Sequence, residues 1–461
     1  MGRTQGKFQV VSRRYEIIIC GAGITGISAA YFLARSGIKD ILLLDERPPL
    51  SLTSDRSTEC YRNWWPDVEI LNLINRSIDL MDQIADETGN IFRMNRRGYL
   101  YVTADEDRME KLKERSIQIA RLGGGSLRTH TSMDEDYQPS ATGGFHDQPE
   151  GADLLIGSDL VRKNFPFITG KAIAALHIRR AGWLSAQQLG MYLFEEVRRI
   201  GVQFESARLE TIDVSNNRVR GIKTSKGEYL ESSVFINAAG PYLKQVGNLL
   251  DIDIPVRSEL HFKIAFKDHL GVIRRDAPLL IWDDPIFLPW DPGELALLKN
   301  DPETIWLTQP FPAGAHTRPE GGGENQTALM VWEYKTHLME PEFPLPADDL
   351  FPEIVLRGLS IMLPRLREYF GRTPRPQMDG GYYIKTPENR MLVGPLPIDG
   401  AYIIGAASGY GVMAACAAGE LLALHIQRMP LPSYASAFSM DRYENIGYQK
   451  MLENWGESGQ L

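Results

Sequence analysis

The stretch from Tyr15 to Pro48 constrains this chain more than any other. An apolar run, Ile17 to Cys20, reads as a buried strand that breaks at Gly21-Ala22-Gly23. A helix then runs through Gly26, Ala29, Ala30 and Leu33, and after Gly37 a second apolar strand, Ile41 to Leu44, delivers Asp45. This is G-x-G-x-x-G with an acidic residue 19 positions beyond its last glycine, inside a strand–helix–strand unit. Gly21 permits the tight turn, Gly23 lets the backbone approach a pyrophosphate, and Gly26 lets the helix lie close on the sheet. The phosphates then meet the unpaired N–H groups where Ile24 and Thr25 open the helix. Asp45, followed by Glu46, accepts hydrogen bonds from a ribose diol. The unit reads as a dinucleotide site.

Bulk properties narrow the classes. The chain has 461 residues, 43% of them hydrophobic and 24% charged, enough for two or three domain-lengths with a large core. A net charge of -9 leaves nothing to neutralise nucleic-acid phosphates, so no nucleic-acid partner is expected. Cys20, Cys60 and Cys416 form no C-x-x-C pair and no disulfide framework, which predicts a reducing, cytoplasmic setting. No membrane span is expected, because the apolar run after Arg13-Arg14 is punctuated by the dinucleotide glycines. Residues 1–13 read as a loose tail.

Further along, Pro48 to Thr58 reads as a polar loop leading to Arg62-Asn-Trp64-Trp65-Pro66. Two adjacent tryptophans beside an arginine fit either a lined cavity or an aromatic plug in the core. Helical spacing marks Ile70 to Thr88, Glu106 to Leu122, a short helix after Asp159, Ala186 to Ile200, and Leu350 to Phe370 with a break at Pro364. Residues 123–158, rich in Gly, Pro, Asp and Gln, read as an insertion or mobile loop, and His146 there has no metal-ligand spacing. Val202 to Ala238 reads as a meander ending at Ala239-Gly240-Pro241. Extended segments at Leu260 to Phe266, Leu279 to Leu288, Thr304 to Leu307 and Ala328 to Tyr334 predict an antiparallel sheet.

The chain closes on a second strand–glycine–helix element, Ala401 to Ile404, then Gly405-Ala-Ala-Ser408-Gly409-Tyr410-Gly411 and an Ala-rich helix. A nicotinamide enzyme does not need this element, whereas a flavoprotein must hold the far end of its cofactor. A helix start over Ser408, Gly409, Tyr410, Gly411, Val412 and Met413 aims N–H groups at the flavin N1–C2=O edge, where charge develops on reduction.

On these pieces, IIICGAGITGISAAYFLA…LLLDE, RSTECYRNWWP, GWLSAQQLG, VFINAAGPYLKQVG…DIPV, AHTRPEGG, YYIKTPENRMLVGPLP and IIGAASGYGVMAACAAGE, the chain resembles the D-amino-acid oxidase superfamily. The likeness is to its branch of glycine, sarcosine and dimethylglycine oxidases and dehydrogenases. It implies an α/β fold: a Rossmann-like FAD-binding domain with a central parallel sheet, and a mostly antiparallel substrate sheet, discontinuous in sequence. The expected boundaries are 14–95, 159–255 and 379–446 for the FAD domain, and 96–158 with 256–378 for the substrate domain. By matching position, Thr58 and Glu59 lie near the flavin, Leu209 gives a backbone contact to adenine, and Ala239 and Gly240 flank the cofactor. Arg62 falls where relatives clamp a substrate carboxylate, as a guanidinium fork does well; a structural ion pair is the alternative.

Two departures matter. Met413 stands where sarcosine oxidases carry a second carboxylate partner, a lysine. Gly381 stands where some relatives attach FAD through cysteine, so non-covalent FAD is expected, with Cys60 the exception to check. Trp64, Trp65, His316, Arg318 and Tyr410 join Arg62 as candidate pocket residues. His261 and Lys263 share a strand face, and either is a candidate base beside Arg62. The resemblance implies oxidation of the C–N bond of a secondary or tertiary amine or amino acid by hydride transfer to flavin N5, the imine hydrolysing later. A small amine or amino acid is the expected partner, with oxygen or an electron carrier as acceptor; homo-oligomerisation is left open. A flavin 2-hydroxy-acid dehydrogenase and a non-catalytic assembly factor are the alternatives.

Overall fold

The computed structural model describes residues 13–134, 137–322, 325–453 and 455. Apart from Arg13, the expected N-terminal tail lies outside the described residues.

The nucleotide half is built on a six-stranded sheet in the order Gln203–Ser206, Ile41–Asp45, Ile17–Cys20, Val234–Asn237, Ala401–Gly405, Leu392–Pro395. All neighbours are parallel except the last pair. Ile17–Cys20 is buried along its whole length, as a central parallel strand covered on both faces must be. The helix Ile24–Arg35 packs against Gly411–Gln427 and Ala186–Ile200. The contact with Gly411–Gln427 is close because both surfaces are small. A Cβ on Gly419 would stand 2.5 Å from Ser28 Oγ, and that hydroxyl donates to the Ala415 carbonyl at 2.7 Å. A four-stranded sheet (Arg13–Arg14, Tyr229–Glu231, Arg218–Thr224, Leu209–Ser215) is interleaved with it in sequence, and the expected meander is split between these two sheets.

The second half is a mixed, mostly antiparallel ten-stranded sheet centred on Arg257–Lys267, Thr327–Val331, Ala315–Pro319, Leu279–Trp282 and Tyr99–Thr103. Along Arg257–Lys267 the alternation is clean. Leu260, Phe262, Ile264 and Phe266 enter the core with residues of the helix Phe351–Met362, while Glu259, His261 and Lys263 share the opposite face. Gln377–Lys385 pairs along the other edge of the same strand.

Several expectations need adjustment. Residues 123–158 are not simply a loop: Leu127–His130 and Ala152–Ile156 pair in parallel as an outer margin of the large sheet. Their polar composition is absorbed by one buried carboxylate, Asp153, which binds Arg128, His130 and Arg179. Ala174–Ile178 joins the large sheet between Tyr99–Thr103 and Ala152–Ile156, although it falls within the stretch expected in the nucleotide domain. Thr304 to Leu307 is not a strand; Ile305–Thr308 is a 3-10 turn whose Ile305 and Trp306 are exposed. The helix Pro292–Asn300 was not anticipated. Its signal was present, an Asp291/Glu294 capping box with proline at the first helical position.

Candidate functional site

Between the two sheets runs a cavity of about 490 Å³. Its first wall is the glycine turn. Gly21 has φ +116°, and a Cβ there would stand 2.2 Å from the Ala238 carbonyl oxygen; a Cβ on Gly26 would stand 2.0 Å from the Gly21 carbonyl. Gly23 differs: a Cβ there would approach only Ser54 Oγ, at 3.4 Å, so its open side is the cavity itself. Gly21 to Thr25 line the cavity, and Gly26 packs behind them. Asp45 and Glu46 line it at the end of their strand. The Asp45 carboxylate already accepts from Ala22 N–H at 2.8 Å and Arg47 N–H at 2.9 Å, and burial raises its pKa. Lone pairs remain for a diol.

Leu209, Ala239, Gly240 and Thr58 also line the cavity. At its far end stand Ser408, Gly409, Gly411 and Val412, opening the helix Gly411–Gln427. No side chain caps that helix, and three residues before it have positive φ: Ala406 at 55°, Ser408 at 42° and Gly409 at 85°. Such backbone concavities turn N–H groups toward an anion or a developing negative charge. A dinucleotide with a flavin at its distal end fits this wall, since both glycine-rich helix starts open on one elongated space. Thr53 Oγ1, buried on the same cavity, has no partner among the described residues and is a further free contact.

Other expected residues stand behind the wall. Tyr410 packs edge-on to Trp65 at 5.3 Å, and its hydroxyl donates to the Asn389 carbonyl. Met413 is buried in the core. Glu59 accepts the Ala186 N–H at 2.8 Å and so caps a helix start. Arg318, 1% exposed, donates to the Thr58 and Pro319 carbonyls and pairs with Glu320, which commits it to holding the loop before Cys60–Arg62. Trp64 and Trp65 are fully buried, an aromatic plug rather than a lining.

The substrate side is read from strand register. Tyr101 pairs with Ile281, Ile281 with His316, His316 with Val331, Val331 with Lys263, and Lys263 with Asp379. Register partners point to one face, so these six residues form a continuous row across the sheet. Arg62 meets one end, donating to the Tyr101 hydroxyl at 2.7 Å with its guanidinium 4.5 Å from the Trp65 ring. Arg56 pairs with Asp379 at the other end. Lys263 donates to the Ser57 carbonyl at 2.7 Å, and burial lowers its pKa. Lys263 and His261 line the cavity; Arg62 and His316 are placed on the row but outside that lining.

His261 stacks on Tyr383 at 3.9 Å and offers both ring nitrogens to carboxylates, Nδ1 to Glu333 at 3.2 Å and Nε2 to Glu259 at 3.4 Å. Burial opposes its charge, but the Glu333 carboxylate and the hydrogen bonds to both acids outweigh it, and its pKa is raised. Burial alone would raise Glu333; the His261 charge holds it at about 2. Sequence reasoning named Gly381 but missed much of the lining, chiefly Arg47, Leu50 to Ser54 with Arg56, Gly380, and Tyr382 to Ile384. Only the Tyr-Tyr pair at 382 and 383 offered a hint, as a β-prone run.

Comparison with known proteins bears on the family and the fold. The family model for DAO, FAD dependent oxidoreductases, matches residues 16–424. Human mitochondrial dimethylglycine dehydrogenase is 21% identical over 316 residues, covering 65% of this chain and 33% of that protein. The chain thus spans about a third of the length of that relative. FAD-dependent oxidoreductase domain-containing protein 1 of Bos taurus is 22% identical over 447 residues, covering 89% of this chain and 80% of its own. Among solved structures, L-proline dehydrogenase from P. horikoshii superposes with a TM-score of 0.71 at 19% identity, over 94% of this chain and 99% of that one. No helix among the described residues is long and apolar enough to cross a membrane.

Proposed function

The chain belongs to the DAO family of FAD dependent oxidoreductases, and from that premise we propose that it oxidises the C–N bond of a secondary or tertiary amine bearing a carboxylate. The observation that carries this reading is Arg62. Its guanidinium is buried, its Nε has no partner, and it meets no carboxylate among the described residues. A buried charge without a counter-ion costs several kcal/mol, roughly, and a substrate carboxylate removes that cost. The two relatives named for dimethylglycine and L-proline act, by their names, on a tertiary and a secondary amine, which supports the class.

Gly21 to Thr25 and Asp45 hold the adenosine diphosphate part of the cofactor, and Ser408 to Val412 hold its flavin end. FAD, when bound, accepts the hydride that leaves the substrate α-carbon. The chain's own contribution is position and field. Arg62 fixes the carboxylate, Trp65 and Tyr101 fix Arg62, and the buried row excludes water. Lys263 places positive charge on the cavity wall without a carboxylate partner among the described residues. The protein needs little acid–base machinery beyond control of the amine proton.

Anaerobic mixing of the FAD-loaded protein with substrates tests this. Bleaching of the flavin by N-alkylated amino acids supports the reading. Bleaching by 2-hydroxy acids alone, which share the carboxylate, overturns it in favour of a hydroxy-acid dehydrogenase. No bleaching across either class points to a flavoprotein with a non-catalytic role.

A further inference from the structure

Toward the strand Gln377–Lys385, the cavity face of the large sheet carries a group of charges that neither the cofactor motifs nor the carboxylate anchor explains. We infer that His261 is a fixed cation at the flavin end of the cavity, and that its charge raises the reduction potential of bound FAD. The inference depends on FAD binding and on no particular substrate.

Strand register sets the place. His261 stands opposite Gly381, which has no side chain, so the imidazole lies flat across the face onto its diagonal neighbour Tyr383 at 3.9 Å. Tyr383 in turn presses on the flavin-end turn: a Cβ on Gly409 would stand 2.5 Å from its Cε2. His261, Gly381, Tyr383 and Gly409 all line the one cavity. A single aromatic ring therefore separates the imidazole from the Gly409 backbone.

Hydrogen-bond geometry fixes the charge. Nδ1 faces Glu333 at 3.2 Å and Nε2 faces Glu259 at 3.4 Å. A neutral imidazole has one N–H and donates to only one carboxylate; serving both takes the imidazolium. Burial opposes that charge, and the two acids outweigh it. The side chain is 8% exposed, so little water or salt screens its field inside the cavity.

The surrounding groups leave the cluster positive. Glu259 is already neutralised by Lys385 at 2.6 Å and Arg257 at 2.9 Å, which leaves His261 to serve Glu333. Two carboxylates thus face three cations, and Lys385 also stands 5.9 Å from the Tyr383 ring. His337 acts on His261 from the next strand, His316 acts on Glu333, and Lys263 lies two residues along the same strand face. A hydride taken up by the flavin brings two electrons and one proton, and leaves one negative charge on the reduced ring. A fixed imidazolium at this end of the cavity favours that charge and raises the potential. With both ring nitrogens on carboxylates, His261 contributes charge and does not act as the base.

The test compares the wild-type holoprotein with His261→Gln and His261→Lys, each checked for FAD content and Tm. Each is reduced slowly without oxygen beside a dye of known potential, and absorbance gives the flavin–dye equilibrium at pH 7. Loss of the charge in His261→Gln should shift that equilibrium toward oxidised flavin on the order of tenfold, about 30 mV for two electrons. His261→Lys loses the stacking but keeps the charge, and should stay within about threefold of wild type. An unchanged equilibrium in a folded, FAD-bearing His261→Gln overturns the inference. Equal shifts in both variants also overturn it, because they mark the cluster as structural. A second readout needs no neutral variant. By reciprocity, reduction of the wild-type flavin should lower the acid constant of one histidine by the same factor, roughly tenfold, and its ring NMR signal should be missing from His261→Lys. No such change on reduction, or a change confined to other histidines, overturns the inference whether or not His261→Gln folds.

Discussion

Arg62 donates from Nη1 to the Tyr101 hydroxyl at 2.7 Å, and this neutral oxygen is its one side-chain hydrogen-bond partner among the described residues. Replacing Arg62 by Met should therefore separate binding from stability. Removing the anchor of a desolvated carboxylate costs about 3 kcal/mol, a rise in KM on the order of 10²-fold. Because the native charge is buried without a counter-ion, Tm should stay level or rise. Thermal unfolding and steady-state kinetics on the same preparation check both; a fall in Tm without a KM effect would mark Arg62 as structural.

The glycine turn makes a paired prediction. Gly23→Val places its side chain in the cavity and should leave a folded protein with little FAD, because Ser54 Oγ is the nearest protein atom. Gly26→Ala drives a methyl against the Gly21 carbonyl oxygen at 2.0 Å, which neither backbone can yield easily. It should destabilise the fold by roughly 1–3 kcal/mol. FAD content and denaturant midpoints distinguish the two. A Gly23→Val protein with stoichiometric FAD would show that the phosphates bind elsewhere.

This turn and its partner near Ser408 were legible in the sequence because each rests on local spacing. Gly21, Gly23 and Gly26 are needed for backbone approach, and Asp45 lies one strand away. The row Tyr101–Ile281–His316–Val331–Lys263–Asp379 was not legible beyond the shared face of His261 and Lys263. It depends on register between strands as far apart as Tyr101 and Ile281, which no local pattern encodes. Thr304 to Leu307 misled because Ile305 and Trp306 face outward and only Leu307 turns into the core. The strands within 123–158 were hidden because Asp153 and Arg179 are buried together, and a composition reading takes charge for surface. Arg318 was a candidate pocket residue through its place in the AHTRPEGG segment; its burial against Thr58 and Glu320 could not be seen from the chain.

That buried ion cluster gives a stability prediction. Asp153 is 2% exposed and serves Arg128, His130 and the 1% exposed Arg179. Burial alone would raise its pKa, but these partners hold it well below the ordinary range. With a folded pKa below the unfolded value of about 3.9, the contribution is fully present above that value and is lost as pH falls toward the depressed one. Asp153→Asn should cost about 3–5 kcal/mol at pH 7 by stranding Arg179. The gap from wild type should narrow below pH 4, read from denaturant midpoints across pH.

The flavin should be held without a covalent bond. Gly381 lines the cavity with no side chain to react. Cys60 stands outside that lining, donates to the Thr58 carbonyl at 3.0 Å, and burial raises its thiol pKa away from the reactive thiolate. Heat or acid denaturation should release all of the FAD into the supernatant; yellow precipitate would contradict this.

The most direct test of the whole account is the anaerobic rate of flavin reduction by an N-methylated amino acid set against the same amine without its carboxylate. Wild-type protein should reduce at least 10²-fold faster, at equal low concentration, with the carboxylate present, and Arg62→Met should abolish that preference. Equal rates with both compounds, or a preference that survives in Arg62→Met, would contradict the assignment of Arg62 as the substrate anchor.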